Sequence, residues 1–193
     1  MPNYCNYSMC VIGEKESVEE FIKIIQADYD YGTMEFSYDR HFFRVFEADY
    51  DEIENLGEDH GNDVYQVIIN GYCAWSVSSC MFDTGEYCYY QELKKRFPDE
   101  FRGTTILAES ERLNLSVEIF SEECGMCFQE HYTIIDGKII EDECVDYYEY
   151  YLRDYETKEE AEEELEIEIT DEEWNGPDDF ISRGGFDSWE FTI

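Results

Sequence analysis

Basic residues are scarce in this chain. Its 193 residues include 13 Lys and Arg against 49 Asp and Glu, a formal net charge of −36. Such a balance argues against direct binding to nucleic acid or to an anionic membrane surface, since both carry the same sign. Long apolar runs are missing as well. The longest uncharged stretch, 64–82, contains Gln66, Asn70, Gly71 and three serines and is too polar to span lipid. The N-terminus has neither a basic flank nor an apolar core, so no signal peptide is expected. Metal-protease, nucleophile-elbow, P-loop and dinucleotide-binding motifs are all absent, and only His41, His60 and His131 are available for imidazole chemistry. The expectation is therefore a non-enzymatic, cofactor-free, cytoplasmic protein.

Aromatic residues, by contrast, are plentiful. Seventeen Tyr, thirteen Phe and three Trp make up 17% of the chain, far too many for a disordered acidic tail, so a core can be buried. Eight cysteines in a reducing compartment are expected to stay thiols. Cys5, Cys10, Cys73, Cys80, Cys88 and Cys144 read as small apolar fillers.

Residues 4–12 read as a strand ended by Gly13. Ser17 and Glu20 have the spacing of a capping box. Val18, Phe21, Ile22 and Ile25 then mark one face of a helix. A Phe-rich strand is expected over 35–46, and a loop or short helix over 50–62. Residues 64–79 are strand-like, with Asn70-Gly71 either a hairpin turn or a bulge. A helix is expected over 86–97, stopped by Pro98. Leu113, Leu115, Val117 and Ile119 alternate with polar residues, which predicts a strand with one buried and one wet face. Residues 128–135 predict another strand, Asp136-Gly137 a two-residue turn and 138–148 the returning strand. Together these form a C-terminal β-meander. Trp75 is expected in the core.

From residue 156 the acid becomes denser, with 15 acids against Lys158 and Arg183. A helix is expected over 157–166. Trp174, Phe180, Phe186, Trp189 and Phe191 argue that this segment docks on the body. The division expected is a ferredoxin-like α+β domain over 1–155 and an acidic C-terminal extension over 156–193.

Strand, helix, strand, strand, helix, strand is the ferredoxin-like order, here an antiparallel sheet with two helices. The opening Met1-Pro2-Asn3-Tyr4-Cys5, with Val11, Gly13, Val18 and Phe21, resembles the start of the phage- and plasmid-borne YubB-type family of ferredoxin-like proteins. That family usually has Trp where this chain has Tyr4. The block from Gly71 through Trp75 to Ser76 is similar too, as is Phe97-Pro98 with Glu122, Glu123 and Gly125. The resemblance covers roughly residues 1–150, within the size of one domain. It implies a fold and a mobile-element setting in a bacterial host cell. It implies no activity and no catalytic residues.

Two constellations could carry function. Cys124 and Cys127 form a CxxC, with His131 four residues on and Cys144 across the hairpin. Such a set could close a zinc tetrahedron, but no second CxxC is present. The same pair could be a redox dithiol, though it lies in a strand-to-strand loop and not at a helix N-terminus. The other constellation is the charge itself. Thirty-six charges match those on roughly 60 Å of B-form DNA, about 18 base pairs. Solubility alone needs a net charge of only about 2 to 8 in a small domain. A halophilic source would also acidify a protein. The leading expectation is a nucleic-acid mimic that occupies the basic channel of a host defence nuclease, such as a CRISPR effector or a restriction enzyme. The acids expected to dock are Glu141, Asp142 and Glu143, and Glu159, Glu160, Glu162, Glu163 and Glu164. Tyr148 and Tyr150 are expected to stack on partner Arg side chains. A zinc or redox module, or a binder of a basic toxin, are the alternatives.

Overall fold

The computed structural model describes residues 3–33, 35–57, 63–82, 95–96, 103–177 and 180–193. Its centre is β1 (Tyr4–Gly13), in which Cys5, Tyr7, Met9 and Val11 alternate onto one buried face. Helix α1 (Lys15–Ile25) follows and covers that face with Val18, Phe21, Ile22, Ile24 and Ile25. The helix begins earlier than its sequence signals indicate. Glu14 is the N-cap, without a side-chain cap bond, and Ser17 already lies inside the first turn, so the expected capping box does not form.

The strand expected over 35–46 is split. Strands β2 (Tyr29–Asp30) and β3 (Glu35–Phe36) make a small hairpin of their own, and β4 (Val45–Tyr50) joins the main sheet. Between them the chain turns inward. The Phe42 ring comes 5.6 Å from the Phe21 ring, and Arg40 reaches the carboxylate of Glu109. That inward plug is why a Phe-rich run does not continue as a strand.

Strand β5 (Glu54–Asn55) is a short pairing on β6 (Tyr65–Ala74). β6 runs unbroken beside β1, with Ser8 opposite Asn70 and Tyr7 opposite Gly71. Asn70-Gly71 is thus neither a hairpin nor a bulge. The bulge of this region lies in β4, between Val45 and Glu47. Gly71 is required for a different reason. The Tyr7 hydroxyl passes over it to donate to the Glu47 carbonyl at 2.9 Å, and a Cβ at Gly71 would lie 2.0 Å from that carbonyl oxygen. Trp75 then adopts a positive φ of 67° and is only half-buried, with the Arg44 guanidinium 4.5 Å from its ring centre. A Trp in that bend packs against the core's edge instead of filling it, contrary to the expected burial.

Ser76 caps α2 (Val77–Met81) by accepting from the Ser79 N–H. The helix expected over 86–97 falls outside the described residues except at Lys95 and Arg96. A helix not anticipated, α3 (Ile106–Leu113), packs beside α1. Thr105 caps its start by accepting from Ala108, and Asn114 ends it in the left-handed conformation. Leu113 therefore belongs to this helix. β7 (Ser116–Glu123) begins after it.

β7, β8 (Phe128–Ile135) and β9 (Lys138–Tyr151) pair antiparallel in succession. Asp136 and Gly137 both take positive φ, 50° and 71°, as the expected two-residue turn demands. After a 3₁₀ turn at Leu152–Asp154 come α4 (Lys158–Leu165), α5 (Asp171–Trp174) and β10 (Phe180–Gly184). Thr157 caps α4 by accepting from Glu160.

The result is a mixed α/β structure on an eight-stranded sheet, in the order β10-β9-β8-β7-β1-β6-β4 with β5 also on β6. Every named pair in it is antiparallel. Leu152, Ala161, Ile169 and Ile181 make a second, small core beneath α4. No helix among the described residues is long and apolar enough to cross a membrane.

Candidate interaction surface

One acidic cluster lies in the first half of β9 and the other on α4, which follows the strand after a 3₁₀ turn. Glu141, Asp142 and Glu143 are all exposed, and they lie opposite Thr133, Tyr132 and His131. Because strand side chains alternate, Glu141 and Glu143 project from one face and Asp142 from the other. The strand ends at Tyr151, nine residues beyond Asp142, or about 30 Å at the usual rise. Past that end sits α4. Glu159, Glu160, Glu163 and Glu164 are exposed on it, but Glu162 is turned inward to accept from the Ile169 N–H at 2.9 Å, with Lys158 at 3.9 Å. The two clusters are therefore separate patches. Glu162 is half-buried and takes part in the packing of the C-terminal segment.

The two tyrosines divide in the same way. Tyr148 is 58% exposed beside Arg183 of β10, whereas Tyr150 is half-buried against the second core, opposite Ile181. Only Tyr148 of the pair presents a free face.

Residues 123–127 form the turn between β7 and β8. The buried Glu123 carboxylate accepts from the Gly125 and Met126 N–H groups, and Cys127 takes a positive φ of 55°. Cys124 is exposed, and its thiol is 3.3 Å from Glu122 Oε1. Burial of its sulfur and that neighbouring carboxylate hold the Cys124 pKa above its usual value. Cys144, expected as a buried filler, is exposed on β9. Its pKa is also raised, by partial burial and by Glu130 and Asp146. Raised thiol pKa values oppose thiolate chemistry, both metal binding and redox attack. His131 faces away from Cys144 across the pleat and is bound to Glu118 at 2.9 Å. Cys124, Cys127, His131 and Cys144 are thus not gathered into one site. Among the described residues no group of three or more His, Cys, Asp or Glu side chains is placed to hold a metal ion.

Sequence reasoning missed the buried carboxylates. Glu109, Glu118, Glu123 and Glu130 are all buried, and each is tied by several donors. Glu109 receives Arg40, Arg112 and Thr104, and Arg112 carries the link on to Glu20 at 2.7 Å. Glu130 receives the Val77 N–H and the Ser121 hydroxyl, each at 3.0 Å, and the Tyr132 hydroxyl at 3.1 Å. Glu118 lies under the end of the chain. Thr192 and Ile193 donate their N–H groups to its Oε2 at 2.6 and 3.1 Å, and His131 binds Oε1. Phe186, Trp189 and Phe191 pack around Phe120, the nearest ring pair at 5.7 Å. The face of β7 expected to be wet is therefore covered. Its Glu118 read as a solvent-facing residue because nothing local to the strand betrays a covering segment seventy residues away. The donors also satisfy the carboxylate there, since a buried polar group is tolerated only when it is hydrogen-bonded.

On the far half of that same sheet face the cover stops. Tyr4, Phe46 and Tyr72 form a mutual aromatic cluster, with ring centres 5.3 to 6.1 Å apart. Tyr4 is 56% and Phe46 47% exposed. Glu47 sits beside the Tyr72 hydroxyl, accepts a hydrogen bond from it and raises its pKa.

Comparison with protein-family models, with curated proteins and with solved structures finds no match for this chain.

Proposed function

We propose that this chain is a non-enzymatic nucleic-acid mimic that occupies the basic channel of a nuclease, of the CRISPR-effector or restriction-enzyme class, and keeps DNA out of it. The observation that carries the reading is the charge of −36, displayed in part on exposed carboxylates of β9 and of α4. An acidic surface favours basic partners and steers them at long range.

The finer fold reading belongs to the same proposal. The strand order β7-β1-β6-β4, with α1 and α3 on one face, supports a ferredoxin-like unit. The successive pairing of β7, β8 and β9 supports its extension as a meander. With the resemblance of the opening block, this favours a phage- or plasmid-encoded protein acting inside a bacterial cell.

A pull-down from bacterial lysate, with and without nuclease treatment, tests the function. Recovery of a basic nucleic-acid-binding protein that persists after nucleic acid is destroyed supports mimicry. Recovery that depends on nucleic acid, or recovery of a small basic toxin alone, overturns it.

A further inference from the structure

We propose that the aromatic cluster Tyr4–Phe46–Tyr72 and the carboxylates beside it form a docking site for an arginine-rich segment of a protein partner. The inference rests on the mimic reading, and it moves aromatic recognition from β9 to the opposite half of the sheet.

Three observations lead there. First, of the two β9 tyrosines expected to stack only Tyr148 is well exposed, since Tyr150 packs on the second core. Second, the C-terminal segment covers the β7–β8 half of this sheet face through Phe120 but leaves Tyr4, Asn6, Asn70, Glu47 and Asp49 exposed on the β1–β6–β4 half. Asp49 lies opposite Asn70, and Glu47 opposite Tyr72, so both carboxylates share the pleat face of the tyrosine. Third, the chain's own scarce cations already adopt this chemistry. Arg44 lies 4.5 Å from the Trp75 ring centre and Arg153 5.3 Å from that of Tyr151.

The occupant follows from the charge and the rings together. Exposed rings alone would suit many surfaces. Rings flanked by Glu47 and Asp49 in a chain of −36 select a cation, and flat ring faces select guanidinium over ammonium, because its plane stacks while its edge donates to a carboxylate.

Binding of an oligoarginine peptide and an oligolysine peptide of equal length, at physiological salt, tests the site. The parent should bind the arginine peptide more tightly. The triple variant Tyr4→Ser, Phe46→Ser, Tyr72→Ser should lose about tenfold or more for the arginine peptide, and its preference over lysine, at 0.5–1 kcal/mol per exposed cation–π contact. If the triple variant melts below the assay temperature, Phe46→Ser alone, at an exposed position, should cost roughly two- to fivefold. The charge control Glu159→Gln, Glu160→Gln, Glu163→Gln, Glu164→Gln on α4 should weaken both peptides alike and leave the preference. Unchanged arginine binding in a folded aromatic variant overturns the site, as does a shift in oligomeric state with unchanged peptide binding, which would assign the cluster to self-association. Competition with DNA for a nuclease separates the two proposals. An aromatic variant that still competes fully removes this site and leaves mimicry standing. Arginine-peptide binding through the cluster without any competition does the reverse.

Discussion

Replacing Glu118 by Gln should loosen the end of the chain without dissolving the body. The parent carboxylate is 0% exposed. Its Oε2 accepts the Thr192 and Ile193 N–H groups, and its Oε1 is hydrogen-bonded with His131 Nε2 at 2.9 Å. Glutamine keeps the shape and one acceptor oxygen. With that oxygen at the Oε2 position, two charge-assisted bonds become neutral ones, a loss of about 1 kcal/mol each. The amide NH₂ then meets His131 Nε2, whose ring must carry its proton on the other nitrogen to accept it. A total of about 2–3 kcal/mol follows. The loss should appear as local opening, since the covering segment is held chiefly by this anchor and by the rings around Phe120. Amide hydrogen exchange at Thr192 and Ile193 should speed up on the order of 30- to 150-fold, while amides of β1 stay protected. Parent-like exchange at both residues in the Gln variant, or unprotected amides in the parent, would refute the anchoring argument.

Ile119→Asp should prevent folding, because Ile119 is fully buried on the helix-facing side of β7 and an unpaired charge there costs several kcal/mol; a soluble variant with parental melting would contradict this. Gly71→Ala should destabilise by roughly 1–3 kcal/mol, since its Cβ would collide with the Glu47 carbonyl, and urea unfolding measures it. Glu173 is held at a pKa of about 2 by Arg183 and by the Thr170 backbone and hydroxyl, against an ordinary 4.5. Its contribution is therefore present above about pH 4.5 and lost as pH falls towards 2, so the difference in urea stability between parent and Glu173→Gln should close over that window and should be constant if the interaction is absent. Chelator should leave the melting temperature unchanged, and a fall on chelation that is abolished by Cys124→Ser with Cys127→Ser would restore the zinc reading of the turn.

Elements whose pattern is local were legible in the sequence. The buried face of α1 shows in the spacing of Val18, Phe21, Ile22 and Ile25, and the β8–β9 turn shows in Asp136-Gly137, because both depend on residues a few positions apart. Long-range choices were not legible. The 64–79 segment is β-prone throughout and could have folded on itself at Asn70-Gly71; pairing of Tyr65–Ala74 with β1 is decided by a partner about sixty residues away, and the rest of the segment turns into α2. Helix α3 hides because Leu113 completes an alternation with Leu115, while its real signals are the Thr105 cap and the left-handed Asn114. The same limit applied to the surface. Acids cluster visibly in sequence, but which of them face solvent is decided by packing, as the inward turn of Glu162 and the burial of Glu118 demonstrate. The Tyr4–Phe46–Tyr72 cluster draws one residue from each of three strands and has no signature in any one of them.

The central claim is that this surface stands in for nucleic acid. Displacement of labelled duplex DNA from basic defence nucleases, titrated with the protein at several salt concentrations, tests it most directly. The account expects displacement by the protein, no binding of the protein to the DNA itself, and an apparent affinity that falls steeply as salt rises, since exposed charge pairs are screened over about 8 Å at physiological ionic strength. Failure to displace DNA from any nuclease in such a panel, or direct binding of the protein to the duplex, would contradict it.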